Sequence, residues 1–171
     1  MPDTAITKPD RVHHDRYRHP LQAPRIQHWD TRSFDKFLMS RANMPFKWGT
    51  HDCALFAADG IEAIIGIDIA QDLRGKYYDK SSAFLAIQDI CGGANVEDAA
   101  AWCAAKFHLP EWPSPLQARR GDLVVFVDGI FLIAGLIHSS CRHIVAAGEE
   151  GLRRIEILTN GKPTALRAWH V

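Results

Sequence analysis

The spacing of apolar residues changes character once along this chain, and a proline-rich stretch, PEWPSP, marks the change. Before it, apolar side chains recur at helical intervals. Cys53, Phe56, Ala57, Gly60, Ile61 and Ile64 follow the pattern of a helix buried along one face and ending at Gly66, with Thr50 or Asp52 as N-cap. Phe34, Phe37 and Leu38 make a similar stripe in a helix expected over Trp29 to Asn43, capped by Asp30 or Thr31. Two shorter helices follow, one capped by Ser81 and stopping at Gly92-Gly93, the other capped by Asn95. Beyond Gly121 the runs DLVVFV, IFLIAGLI, HIVAA, LRRIEIL and TALRAWHV, separated by turn signals such as Asp128-Gly129 and TNGKP, read as strands of an antiparallel meander. Helices first and strands afterwards specify an α+β fold with the helices packed on one side of the sheet.

With 171 residues, nearly half of them hydrophobic, the chain forms one core rather than several. Its twenty basic and twenty acidic residues balance, which removes the cationic footprint needed to grip nucleic acid or an anionic membrane surface. No apolar run approaches bilayer thickness and the start lacks a signal-peptide pattern, so a soluble product made in the cytoplasm, without membrane insertion, is expected. Residues 1–27, rich in Pro, His, Arg and Asp, have no apolar periodicity with which to dock on a core; they read as an extended N-terminal arm that a partner subunit holds. The domain proper then spans 28–171.

Cys53, Cys91, Cys103 and Cys141 contain no CxxC pair, which argues against a zinc knuckle and a disulfide scaffold. His138, Cys141 and His143 supply zinc-type ligands, and His51 and Cys53 would complete a set, but the spacing matches no common pattern. No metal and no cofactor are expected. Cys53 is the residue with chemical promise, because it opens a helix, where free N–H groups and the helix dipole favour a thiolate. Trp48, Tyr77, Tyr78 and Trp112 are available to line a groove beside it or to fill the core.

The order Trp48-Gly49-Thr50-His51-Asp52-Cys53, Arg74-Gly75-Lys76-Tyr77, Gly92-Gly93, Ala118-Arg119-Arg120-Gly121-Asp122, Gly151-Leu152 and Ala168-Trp169 resembles the NlpC family of papain-like cell-wall cysteine peptidases over residues 30–171. It is similar in particular to a phage-tail-associated branch of small proteins. The resemblance implies that Cys53 holds the nucleophile position and that a histidine should open the strand whose glycine matches Gly135. Ile133 stands there instead, and Val145 stands where the family has its third polar group. A hydrocarbon takes no proton, so the general-base contribution is lost. The substitutes available are His143, which shares a strand face with Val145, His138, which needs a bulge at Gly135, and His51, two residues before the thiol.

Two functions follow from the resemblance. One is a degenerate domain serving as a structural component of the phage tail tip or of tail assembly, located in the virion and bound to other tail proteins through the arm. The other is an active peptidoglycan amidase or endopeptidase, with Cys53 as nucleophile and one of those histidines as base, opening the cell wall during genome delivery.

Overall fold

A computed structural model describes residues 18–171. The helices come first. A single wide turn, Trp29–Ser33, in which the Phe34 N–H reaches back to the Trp29 carbonyl, leads into α1 (Phe34–Arg41). It replaces the side-chain-capped start expected at Asp30 or Thr31. The cause is packing: Trp29 lies against Gly121, where an added Cβ would come within 2.9 Å of the indole, and its ring packs on Phe34 at 6.1 Å. Helix α2 (Cys53–Ile65) has Asp52 as N-cap and ends at Gly66 with φ +73°, a conformation glycine adopts without strain. Helix α3 (Lys80–Cys91) is capped by Asp79, not Ser81, because Asp79 and Ser82 bond each other's backbone reciprocally. Helix α4 (Val96–Lys106) is capped by Asn95.

The strands are β1 (Leu123–Asp128), β2 (Phe131–Ile137), β3 (His143–Gly148), β4 (Gly151–Glu156) and β7 (Ala165–Trp169), in the order β4-β3-β2-β1-β7, with every pairing antiparallel. The expected meander therefore holds for four strands. The last one instead crosses to the opposite edge, beside β1, after a two-stranded hairpin of β5 (Leu158–Thr159) and β6 (Lys162–Pro163) turned by Asn160 and Gly161, both at positive φ. Crossing places Trp169 in the core shared with the helices and Ala168 in the layer behind the sheet.

Alternation along the strands divides the core into two layers. Leu123, Val125, Ala134, Leu136, Val145 and Ala147 meet α1, α2 and α4; Val124, Phe126, Ile137, Ile144 and Ala146 meet Trp112 and the connections on the other side. Of the arm expected over 1–27, residues 1–17 lie outside the described residues. Residues 18–27 lie against the domain itself. Gln22 is buried and donates to the His170 carbonyl at 2.8 Å, Arg25 donates to the Val171 carbonyl at 2.6 Å, and the Ile26 N–H donates to Ile64 at 2.7 Å. Docking is by hydrogen bonds to the chain's own C-terminus, which apolar periodicity does not register.

Candidate functional site

Asp52 organises the start of α2. Its carboxylate is 1 % exposed and accepts four hydrogen bonds: from the Ala54 and Leu55 N–H groups at 3.1 and 3.0 Å, from the Gly49 N–H at 2.9 Å, and from the Tyr77 hydroxyl at 2.8 Å. Gly49 is required because its φ is +74° and a Cβ there would run into the Tyr77 carbonyl. Two separated sequence pieces, WGTHDC and RGKY, thus close on one carboxylate. Arg74 of the second piece also reaches back to α2, bonding Asp59 and Asp68, each at 2.5 Å. Tyr77 beside Asp52 is pushed well above the ordinary phenol range by burial and by the neighbouring charge.

Cys53 sits directly beyond this lock, with its thiol buried. Burial pushes its pKa up to about 11 and the Asp52 charge adds to the rise, against a smaller opposing pull from the Ala134 backbone N–H. The helix-start activation expected of a nucleophile is not realised, because burial outweighs the pull of the Ala134, Ala54 and Cys53 backbone N–H groups on the thiol.

The strand facing Cys53 is β2. Leu132, Ala134 and Leu136 point toward the helices, whereas Ile133 packs in the far layer with Phe126. The position opposite the thiol is thus Ala134 flanked by Leu132, apolar whichever neighbouring register is chosen. His138 does share the face of Ala134, without needing a bulge, and His143 shares that of Val145. Both nevertheless lie at the other end of the sheet. Four residues of strand separate His138 from Ala134, about 13 Å at 3.3 Å per residue. There the two imidazoles meet edge to face at 6.4 Å, His138 Nδ1 bonds the Ser140 hydroxyl at 2.9 Å, and His143 Nε2 lies 3.3 Å from Glu156. His51 is 4 % exposed and packs edge-on against Phe56 at 6.0 Å; neither ring nitrogen has a hydrogen-bond partner. Burial, then Arg41, pulls its pKa down, against smaller opposing effects of Asp59 and Asp52. No group of three or more His, Cys, Asp or Glu side chains is placed to hold a metal ion among the described residues, and His138, Cys141 and His143 stand far from His51 and Cys53.

A cleft of about 1000 Å³ opens over Cys53. Phe46, Trp48, Leu73, Tyr77, Phe84 and Val96 form one wall, Phe131, Leu132 and Ile133 another, and the turn at Gly148–Gly151 a third. Trp48 and Tyr77 line it as anticipated; Tyr78 is 80 % exposed and lies outside it, while Trp112 is buried behind the sheet. Lys80 stands over Phe131, 4.3 Å from its ring centre, and Arg153 pairs with Asp128 at the rim.

A family model described as a domain of unknown function, DUF6950, matches residues 24–171. The chain belongs to that family. Neither the curated proteins nor the solved structures provide a significant match to it. The DUF6950 match begins at residue 24, one residue before Arg25 ties the chain's start to its C-terminus.

At the opposite end of the sheet from the cleft, a second motif is used as a tie in the same manner as WGTHDC. Asp122 is fully buried, accepts from Trp112 Nε1 and the Arg119 N–H at 2.7 Å each and from the Val171 N–H at 3.1 Å, and lies 3.9 Å from Arg25. Burial pushes it up to about 6 despite those donors. The sequence does not announce this cluster, since its parts come from three separated segments, around residue 25, residues 112–122 and residue 171; the Gly-Asp dipeptide is its one visible trace.

Proposed function

We propose that this chain is a phage tail-tip or tail-assembly protein, made in the host cytoplasm and carried in the virion, built on a papain-like NlpC-type domain that has lost catalysis and acts as a structural component. The observation that carries the loss of catalysis is the surroundings of Cys53: a neutral, buried thiol facing Ala134 and Leu132, with His138 and His143 at the far end of the sheet and His51 turned onto Phe56. General-base assistance of about a hundred- to ten-thousand-fold needs an imidazole within hydrogen-bond reach of the sulfur. The assignment to the NlpC type and to a phage tail is supported by the order of motifs from Trp48 to Trp169. Its partners on this reading are other tail proteins, with peptidoglycan as a surface met rather than a substrate cut.

The test is release of soluble fragments from purified peptidoglycan by the folded protein and by Cys53→Ala. Equal, background release from both is the expected result. Cleavage that depends on Cys53 would overturn the degenerate reading in favour of an amidase. The tail assignment is tested separately, by probing purified virions for this chain with a specific antibody; its absence from virions and from tail-assembly intermediates would sink that part.

A further inference from the structure

The cleft over Cys53 is a parting of the sheet. Strands β2 and β3 pair at Leu136↔Val145 and Ile137↔Ile144 and nowhere else, although both continue for several residues. Continuing that register would set Ala134 opposite Ala147 and Leu132 opposite Glu149. Neither pair forms; Leu132, Ala147 and Glu149 line the cleft, and Ala134 is buried with its N–H on the Cys53 sulfur. The parting begins at Gly135, whose missing side chain lets the Val145 carbonyl approach to 2.6 Å of where a Cβ would be.

Backbone directions follow from the bonds that flank the parting. Ile137 exchanges hydrogen bonds with Gly121 and Asp122 on the β1 side, whereas the His138 N–H donates to His143 on the β3 side. By alternation, Leu132 and Ala134 present their N–H and C=O groups toward β3, and Ala147 presents its own toward β2. Of these the Ala134 N–H meets the Cys53 sulfur, a weak acceptor. Such half-used strand edges, inside an apolar cleft rather than at a charged rim, are templates for another strand. The mouth matches a short segment with an apolar centre. Ile130 is 89 % exposed and Phe131 and Phe84 are about half exposed at its lip. Its acidic turn, Glu149 and Glu150, is exposed; Arg153 pairs with the neighbouring Asp128 and also feels the Glu149 charge, which leaves the turn acidic on balance.

We propose that this parting receives an extended segment of a partner protein, which adds as a strand along β2 with apolar side chains over Cys53 and a Lys or Arg against Glu149 and Glu150. The inference rests on the reading that Cys53 has no catalytic duty, and it names how the domain would be joined to a neighbour.

The test uses the full chain and a blocked peptide, KVTIVK, followed by amide hydrogen exchange. Binding is expected to slow exchange at Leu132 and Ala147 by about tenfold or more. An N-methylated peptide with the same side chains, lacking donors, should give no protection. In the double variant Glu149→Lys/Glu150→Lys, which alters exposed residues only, preference should pass to EVTIVE, with KVTIVK weakened about tenfold. Slow exchange at Leu132 and Ala147 in the free protein, equal binding of the N-methylated peptide, or no protection at millimolar KVTIVK would each overturn the proposal. Cys53-dependent peptidoglycan cleavage would remove the non-catalytic reading without touching the exchange result, so the two failures are told apart.

Discussion

The two ends of the β2–β3 pair are built alike and used differently. At the closed end, where Leu136 and Ile137 meet Val145 and Ile144, the buried carboxylate of Asp122 gathers Trp112, Arg119, Arg25 and the chain's last residue. At the open end Asp52 gathers Gly49, Tyr77 and the first turn of α2. Both carboxylates hold distant segments together by accepting backbone donors. The contrast lies in what surrounds them. The closed end has the histidines, with the Ser140 hydroxyl on His138 and the exposed Cys141 between them; the open end has the Cys53 thiol and the cleft, and His51 there has no hydrogen-bond partner on either ring nitrogen. Groups that would make a catalytic pair in one place, Cys53 with His138 or His143, are here held apart by about half a strand.

The largest effect that would sharpen this contrast is expected at Asp52. Asp52→Ala removes four accepted bonds and leaves the Tyr77 hydroxyl and the Gly49 N–H unpaired, so a loss of about 3 kcal/mol in urea unfolding is expected. A loss under about 1 kcal/mol would show that the open end is not locked as described. At the closed end the signature is pH. Because Asp122 is raised from 3.8 to about 6 in the folded state, its contribution to stability is fully present below pH 3.8 and is lost as pH rises to about 6. The loss amounts to about 3 kcal/mol. Subtracting the unfolding free energies of Asp122→Asn from those of the unmodified chain across that window isolates the slope, and a flat difference would refute it.

The Gly135→Ala substitution tests the boundary between the two ends. Its Cβ would press on the Val145 carbonyl, which is backbone and cannot swing aside, so destabilisation of about 2 kcal/mol is expected. The smallest effect is predicted for His138→Ala with His143→Ala. These side chains are part-exposed, and their removal should change stability by about 0.5 kcal/mol or less. Alkylation of Cys53 by iodoacetamide should keep the same alkaline pH profile, rising toward about 11. A profile that moves when the histidines go would join the two ends chemically and break the comparison.

Much of the helical half is legible in the order of residues. The stripe from Cys53 to Ile64, the cap at Asn95 and the stop at Gly66 depend on neighbours within a turn or two, and such local hydrogen bonds and periodicity are written along the chain. Asp79, two residues ahead of the expected cap, shows how little separates rival caps when Asp and Ser stand together. Trp29 opens with a wide turn because a residue about ninety positions away, Gly121, leaves room for its ring. Tyr77 and Lys80 belong to an irregular stretch, RGKYYDK, in which no local pattern shows that both side chains turn toward the cleft.

Local pattern alone therefore determined that helices precede strands and that Cys53 opens a buried helix, with the cap left between Thr50 and Asp52. Tertiary structure decided the rest. Alternation along a strand tells which residues share a face, but not which face meets the helices, so only packing reveals that Ala134 and not Ile133 lies over the thiol. Whether two strands stay paired is likewise a property of both strands and of what lies between them. Beside the last pair before the parting, the Val145 carbonyl on β3 lies close to Gly135 on β2, a contact between segments that the sequence keeps about ten residues apart and that no local preference encodes.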